Sequence, residues 1–208
     1  MKRNNLILLF LLSGALFLSA QTRPDALREY RAGNYDRAIE ICRLELADSP
    51  GNMDSFTVLG WSLLRLEKYQ EALDEGMKGL SFNRHDVRVL EIVAEASYFL
   101  GKNLEALKYF EEYCVLAPTG DRIDLSYFYM GEIFIRLGEY NHADIAFTTA
   151  VYHSPNTARW WSRLGYAREM AQDYRYAMEA YNKALQLNPS STDAIRGRER
   201  VQQKMADE

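Results

Sequence analysis

The sequence predicts an all-α protein built as a stack of antiparallel helix pairs, and three observations predict it. Ala38, Ala72 and Ala106 stand 34 residues apart, as do Ala143 and Ala177, with a single 37-residue step between Ala106 and Ala143. Self-similarity at this period marks a repeat architecture. Twelve residues after each alanine come Pro50, Arg84, Pro118, Pro155 and Pro189, so four of the five units end in a residue that cannot continue a helix. The composition supports this: 5 prolines and 12 glycines punctuate 208 residues sparsely, while 14 tyrosines and 9 phenylalanines provide rings to bury between helices.

The first helix of the opening unit starts near Pro24 and is truncated; that unit keeps Ala26, Gly33, Tyr35, Ala38 and Pro50. Gly33, Gly101 and Gly138 precede their alanines by five residues, where one helix must stop and the chain reverse. Two residues beyond the unit ends lie Asn52, Asp86, Thr157 and Ser191, side chains suited to capping the next helix. The units run 24–52, 53–86, 87–120, 124–157 and 158–191. Thr119-Gly120-Asp121-Arg122-Ile123 is inserted before the fourth, whose helix cap is expected at Asp121 or Asp124. Gly76 and Gly79 lie inside a helix, where two glycines cost about 2 kcal/mol relative to alanine. They predict either a loose turn or the close approach of another backbone. Residues 192–208 form a further helix and tail, whose Arg196, Arg198, Glu199, Arg200 and Lys204 suit a polar cap over the end of the array.

This pattern resembles the tetratricopeptide repeat, Trp-x2-Leu-Gly-x2-Tyr, then Ala-x3-Phe, then Pro. One unit reads Trp161, Leu164, Gly165, Ala177, Tyr181, Ala184 and Pro189, with Arg168 where the pattern has Tyr. Another reads Tyr127, Met130, Gly131, Phe134, Ala143, Phe147, Ala150 and Pro155, and an earlier one Leu90, Val93, Ala94, Ala106, Phe110 and Pro118. The second unit has Phe56, Leu59, Gly60 and Ala72 but places Gly76 where the pattern has Phe and Gly79 where it has Ala. The resemblance covers residues 24 to 190. It implies a right-handed superhelical array, a solenoid of helix pairs whose first helices line a concave groove, with a C-terminal capping helix.

Lys2 and Arg3, an apolar run from Leu6 to Leu18 broken by Ser13 and Gly14, and the small Ser19-Ala20 before polar residues have the layout of a signal peptide, with cleavage expected after Ala20. The run of about 13 residues makes roughly 20 Å of helix, short of the ~30 Å hydrocarbon core. An exported, periplasmic protein is expected, with no stable membrane anchor after cleavage; the alternative is retention at the inner membrane by the uncleaved segment. Removing Lys2 and Arg3 leaves 23 basic against 29 acidic residues, or −6. An acidic chain gives no footprint for a phosphate backbone, so nucleic acid is excluded as a partner. Cys42 and Cys114 fall on second helices two repeats apart, too far for a disulfide.

No catalytic arrangement is found, and the chain reads as non-enzymatic with no cofactor and no metal. His85, His142 and His153 lack a second ligand at metal spacing and read as surface residues. Glu111 with Glu112 and Asp74 with Glu75 lie among lysines such as Lys78 and Lys108, the pattern of a solvated face. The groove that the resemblance implies would present Trp61, Arg65, Arg88, Glu91, Glu95, Tyr98, Phe128, Glu132, Arg136, Arg159, Tyr166 and Met170. Trp61, Tyr98, Phe128 and Tyr166 have the other reading of ordinary packing between repeats. Charges sharing their stripe favour a surface, since charges do not fill cores unpaired. Family members that hold chaperone C-termini use lysines and asparagines on first helices; neither type stands at these places. The expected partner is an extended or helical polypeptide, with Glu91, Glu95 and Glu132 disfavouring anions. Homo-oligomerisation is left open. The resulting function is a protein-binding scaffold in cell-envelope assembly; the alternative is a periplasmic partner subunit of a solute transporter, which calls for a pocket of ~300 Å³ or more.

Overall fold

The computed structural model describes residues 25–207, and the export segment expected over residues 1–20 lies outside them. Eleven helices occupy the described residues: α1 Ala26–Arg31, α2 Tyr35–Asp48, α3 Met53–Arg65, α4 Tyr69–Phe82, α5 Val87–Phe99, α6 Asn103–Leu116, α7 Ile123–Leu137, α8 Tyr140–His153, α9 Ala158–Met170, α10 Tyr174–Leu187 and α11 Thr192–Ala206. Each odd helix packs against the even helix after it, and each even helix against the next odd one. The result is an all-α superhelical array closed by the solitary α11.

All five alanines that set the period are fully buried, at 0% exposure. A methyl group there lets helix axes approach to where larger side chains on the partner fill the gap. The fit is most direct at Gly131 and Gly165. A Cβ on Gly131 would lie 2.7 Å from the Phe147 ring, and one on Gly165 2.7 Å from the Tyr181 ring. Phe147 and Tyr181 are among the largest fully buried side chains.

The five turns within repeats share one conformation. Gly33, Gly101 and Gly138 have φ of 81°, 74° and 75°, and the equivalent positions in the second and fifth repeats are Glu67 and Gln172, at 59° and 64°. Only the glycines were legible as turn signals. The other two show that register, not residue type, fixes the left-handed corner, at a cost of roughly 1–2 kcal/mol per side chain.

At the N-termini, the Asn52 carboxamide accepts from the amides of Asp54 and Ser55, and the Asp86 carboxylate from those of Arg88 and Val89. Thr157 and Ser191 occupy cap positions but their side chains accept no capping bond. The fourth first helix departs from expectation, because Arg122 stands at its cap rather than Asp121 or Asp124. The Arg122 amide donates to the Tyr113 hydroxyl at 3.3 Å, which pins the chain there, and Asp124 enters the first turn, where it accepts from Ser154 Oγ.

Cys42 is buried and Cys114 half-buried, both as free thiols. Burial pushes their pKa values up to about 12 and about 11.

Gly76 and Gly79 are neither loose nor approached by another backbone. Both are buried, and the space above them is filled by side chains. A Cβ on Gly76 would come within 2.6 Å of Val93 Cγ2, and one on Gly79 within 3.1 Å of the Phe56 ring. Ile92 similarly occupies the space over Gly60, at 2.7 Å from where its Cβ would be. The ring missing from α4 is thus replaced by two aliphatic groups from α5. Restoring bulk should therefore destabilise. Overpacking costs about 1–3 kcal/mol, more than the ~1 kcal/mol that alanine gains in helix propensity. Gly76→Ala is expected to lower the melting temperature in thermal denaturation and Gly76→Phe, which restores the repeat pattern, to lower it further. A rise for either would refute this account of the second repeat.

Candidate partner-binding face

The odd helices share one cleft. Tyr30 of α1, Trp61, Leu64 and Arg65 of α3, Glu91 and Glu95 of α5, and Leu125 and Tyr129 of α7, with Arg122, line a cavity of about 430 Å³. Side chains from four successive repeats thus meet at one surface. The Tyr30 and Trp61 rings lie 5.8 Å apart, and Trp61 is half-buried, with an edge left to solvent. Further along, Glu132, Arg159, Ser162, Arg163 and Asp193 border a second cleft of about 340 Å³ between α7, α9 and α11.

The expected face residues divide into three groups. Tyr98, Phe128 and Glu91 are buried, at 8%, 4% and 4% exposure, and are corrected from surface to interior. Tyr98 packs on Tyr129 at 4.5 Å between ring centres, and Phe128 stacks on Trp160 at 5.1 Å and meets Phe147. These rings fill the joints between repeats, as aromatic residues at helical spacing usually do.

A second group is on the face but occupied. The Arg88 guanidinium donates to Asp54 at 2.7 Å and Asp86 at 3.1 Å. Glu132 accepts two bonds from Arg163, whose guanidinium also lies 5.2 Å from the Tyr166 ring centre. Glu91 and Glu95 are both held by Arg122, each at 2.8 Å. Tyr129 adds a bond to Glu95 at 3.4 Å.

These pairs follow a rule. Glu91 to Arg122, Glu132 to Arg163 and Glu169 to Arg200 are each separated by 31 residues. One 34-residue repeat forward and about one helical turn back gives this spacing for Glu132 and Glu169, while Arg122 comes from the insertion ahead of α7, so each joint between odd helices from α5 onward is tied by an arginine reaching back to a glutamate. Arg122 and Arg163 went unrecognised as face residues. The 31-residue spacing could have found them, but a search for aromatic anchors passes over it.

The third group is exposed and unmatched. Among the described residues, Arg65, Arg136 and Arg159 form no ion pair. Arg65 donates to the Tyr35 hydroxyl at 3.3 Å. Arg136 lies 4.1 Å over the Tyr98 ring and donates to the Tyr98 carbonyl and to Asn103. Arg159 lies 5.5 Å from the Phe128 ring centre. Their guanidinium groups lie over aromatic rings, Tyr98 and Phe128 buried and Tyr35 half-buried, and keep donors left over. Met170 is also exposed.

Glu91 is the one carboxylate here that is fully enclosed. Desolvation pushes its pKa up to about 7; Arg122 pulls the other way and Glu95 reinforces the rise. A carboxyl whose folded-state pKa lies above its ordinary value of 4.5 holds its proton more tightly when folded, so its contribution to stability falls as pH rises from about 4.5 through 7. Glu91→Gln removes this titration while leaving Arg122 its bond to Glu95. Thermal melts between pH 5 and 8 should show a shallower decline for the variant than for the parent chain; equal slopes would contradict the assignment.

No candidate metal-binding cluster occurs among the described residues, and the three histidines are exposed. No described helix is long and apolar enough to cross a membrane.

Comparison with known proteins accords with this architecture. Tetratricopeptide repeat family models match residues 26–80 and 158–191. No curated protein matches the sequence. Among solved structures, YrrB, described as a tetratricopeptide repeat protein with an unusual peptide-binding site, aligns with a TM-score of 0.72 at 18% identity, over 84% of this chain and 88% of that one. MamA from Desulfovibrio magneticus RS-1 aligns with a TM-score of 0.71 at 18% identity, over 80% and 93%. TTC0263, a thermophilic protein of the same repeat type from Thermus thermophilus, aligns with a TM-score of 0.58 at 20% identity, over 85% and 94%. The family models cover most of the first and second repeats and the whole of the fifth, so this chain is a tetratricopeptide repeat protein, and its fold is the array seen in these structures.

Proposed function

We propose that this chain is a non-enzymatic scaffold of the bacterial periplasm that binds a polypeptide along the concave face of its odd helices, in the service of cell-envelope assembly. The observation that carries the binding reading is the 430 Å³ cleft, which draws Tyr30, Trp61, Leu64, Leu125 and Tyr129 together with Arg65 and Arg122 from successive repeats. Rings and aliphatic groups beside charged rims are what a peptide side chain and its backbone require. YrrB, with its peptide-binding site on the same fold, supports this reading. Export rests on the signal-like pattern of residues 1–20, and the envelope role rests on export.

A transporter-partner reading would place a small solute in the same cleft, whose volume is sufficient. The exposed arginines that continue past it to α9 have no role in that reading, so polypeptide binding is placed first.

Affinity capture from envelope extracts tests the proposal. Arg65→Glu with Arg136→Glu should reduce recovery of the partner at least tenfold, or about 1.4 kcal/mol. Lys78→Glu with Lys108→Glu, on the exposed faces of α4 and α6, should leave recovery unchanged. Circular dichroism accompanies both variants, because Arg136→Glu also removes stacking on Tyr98, worth about 0.5–1 kcal/mol. Loss of capture in the lysine pair alone would move the site to the even helices. Mass spectrometry of the native protein should find its N-terminus at or near Gln21; a chain beginning at Met1 would contradict cleavage.

A further inference from the structure

The acids and the arginines of the odd-helix face are not left in equal numbers. Glu132 and Glu169 each have an arginine to themselves, Glu91 and Glu95 share Arg122, and Asp54 and Asp86 share Arg88. Engaged at 2.5 to 2.8 Å, these carboxylates direct much of their field at the arginines that hold them rather than outward. The repulsion of anions expected of Glu91, Glu95 and Glu132 is weakened in the folded chain. On α3, α7 and α9, Arg65, Arg136 and Arg159 are left without a carboxylate, and among the described residues Asp193 of α11 is an acid left without an arginine at the far end of the face, while the chain as a whole is acidic, with 29 acidic against 25 basic residues.

Building on the polypeptide-binding reading, we infer that the partner segment is acidic and extended, seating a large apolar side chain in the cleft beside Trp61 and setting its carboxylates on Arg65, Arg136 and Arg159. Each arginine offers a planar donor fork that matches a carboxylate. Resting on aromatic rings, these guanidinium groups are already oriented, which reduces the freedom lost on binding. Odd helices in successive repeats step by about 8–10 Å, so α3 to α9 spans roughly 25–30 Å, the reach of an extended segment of about nine residues. A continuous phosphate backbone fits less well, because single arginines separated by neutralised pairs do not form an unbroken basic track.

The test uses purified chain and fluorescein-labelled peptides of about twelve residues, long enough to span that reach. They are built from Glu-Glu-Phe triplets, with Gln-Gln-Phe and Lys-Lys-Phe peptides and an oligothymidylate of similar length as comparators. Fluorescence anisotropy in about 0.1 M salt should show the glutamate peptide binding about tenfold more tightly than the glutamine peptide. That preference should shrink in Arg136→Gln with Arg159→Gln and, separately, in Arg65→Gln, which touches neither Tyr98 nor Phe128. The inference is overturned if the glutamine, lysine or nucleotide probe binds as tightly as the glutamate peptide. It is equally overturned if the glutamate peptide fails to bind at millimolar protein or ignores all three arginines. Partner capture that still depends on Arg65 and Arg136 would then leave the groove standing and remove only the acidic partner; capture indifferent to them would remove the groove itself.

Discussion

The structure depends on how closely its helices approach at the buried alanines. Ala38, Ala72, Ala106, Ala143 and Ala177 have no exposed surface, and each sits where an even helix presses against its odd neighbours. A larger side chain at any of them would push two helices apart and shift every later repeat with them. Aromatic residues fill what the small residues leave open, as Phe147 does over Gly131 and Tyr181 over Gly165. The second repeat shows that the constraint is volume rather than residue identity. Its even helix has no ring at Gly76, and Val93 and Ile92 of the following repeat occupy the space instead.

That constraint explains what could be read from the sequence and what could not. The prolines after each unit and the caps at Asn52 and Asp86 act through local backbone, and the packing alanines recur at a fixed period, so the helix pairs were legible without the structure. Side-chain depth was not. Tyr98 and Phe128 share a stripe with exposed arginines, yet they turn inward, because each must fill the joint to the next repeat. Gly76 looked like a defect because its compensation lies 17 residues away, on another helix. Arg122 sat in an insertion that broke the register, and only the folded chain shows that it stands at the N-terminal cap position of α7 and clasps Glu91 and Glu95.

The candidate binding face is, in effect, what remains once the joints are satisfied. Rings are drawn inward to fill volume, and glutamates are drawn sideways to the arginine 31 residues on. The remainder is a partly apolar cleft near Trp61 and three arginines with donors to spare. Removing any one tie would alter this remainder as well as stability: without Arg122, Glu95 would return negative charge to the cleft that Trp61 borders, and the enclosed Glu91 would hold its proton more tightly still.

The most direct measurement is nuclear magnetic resonance of the arginine side-chain Nε–H groups, recorded while the glutamate peptide is added. Arg65, Arg136 and Arg159 should shift progressively, while Arg122, Arg163 and Arg200, already committed to glutamates, should remain in place. Shifts confined to those three paired arginines, or spread evenly over both sets, would contradict the claim that binding uses the charges left over by the fold.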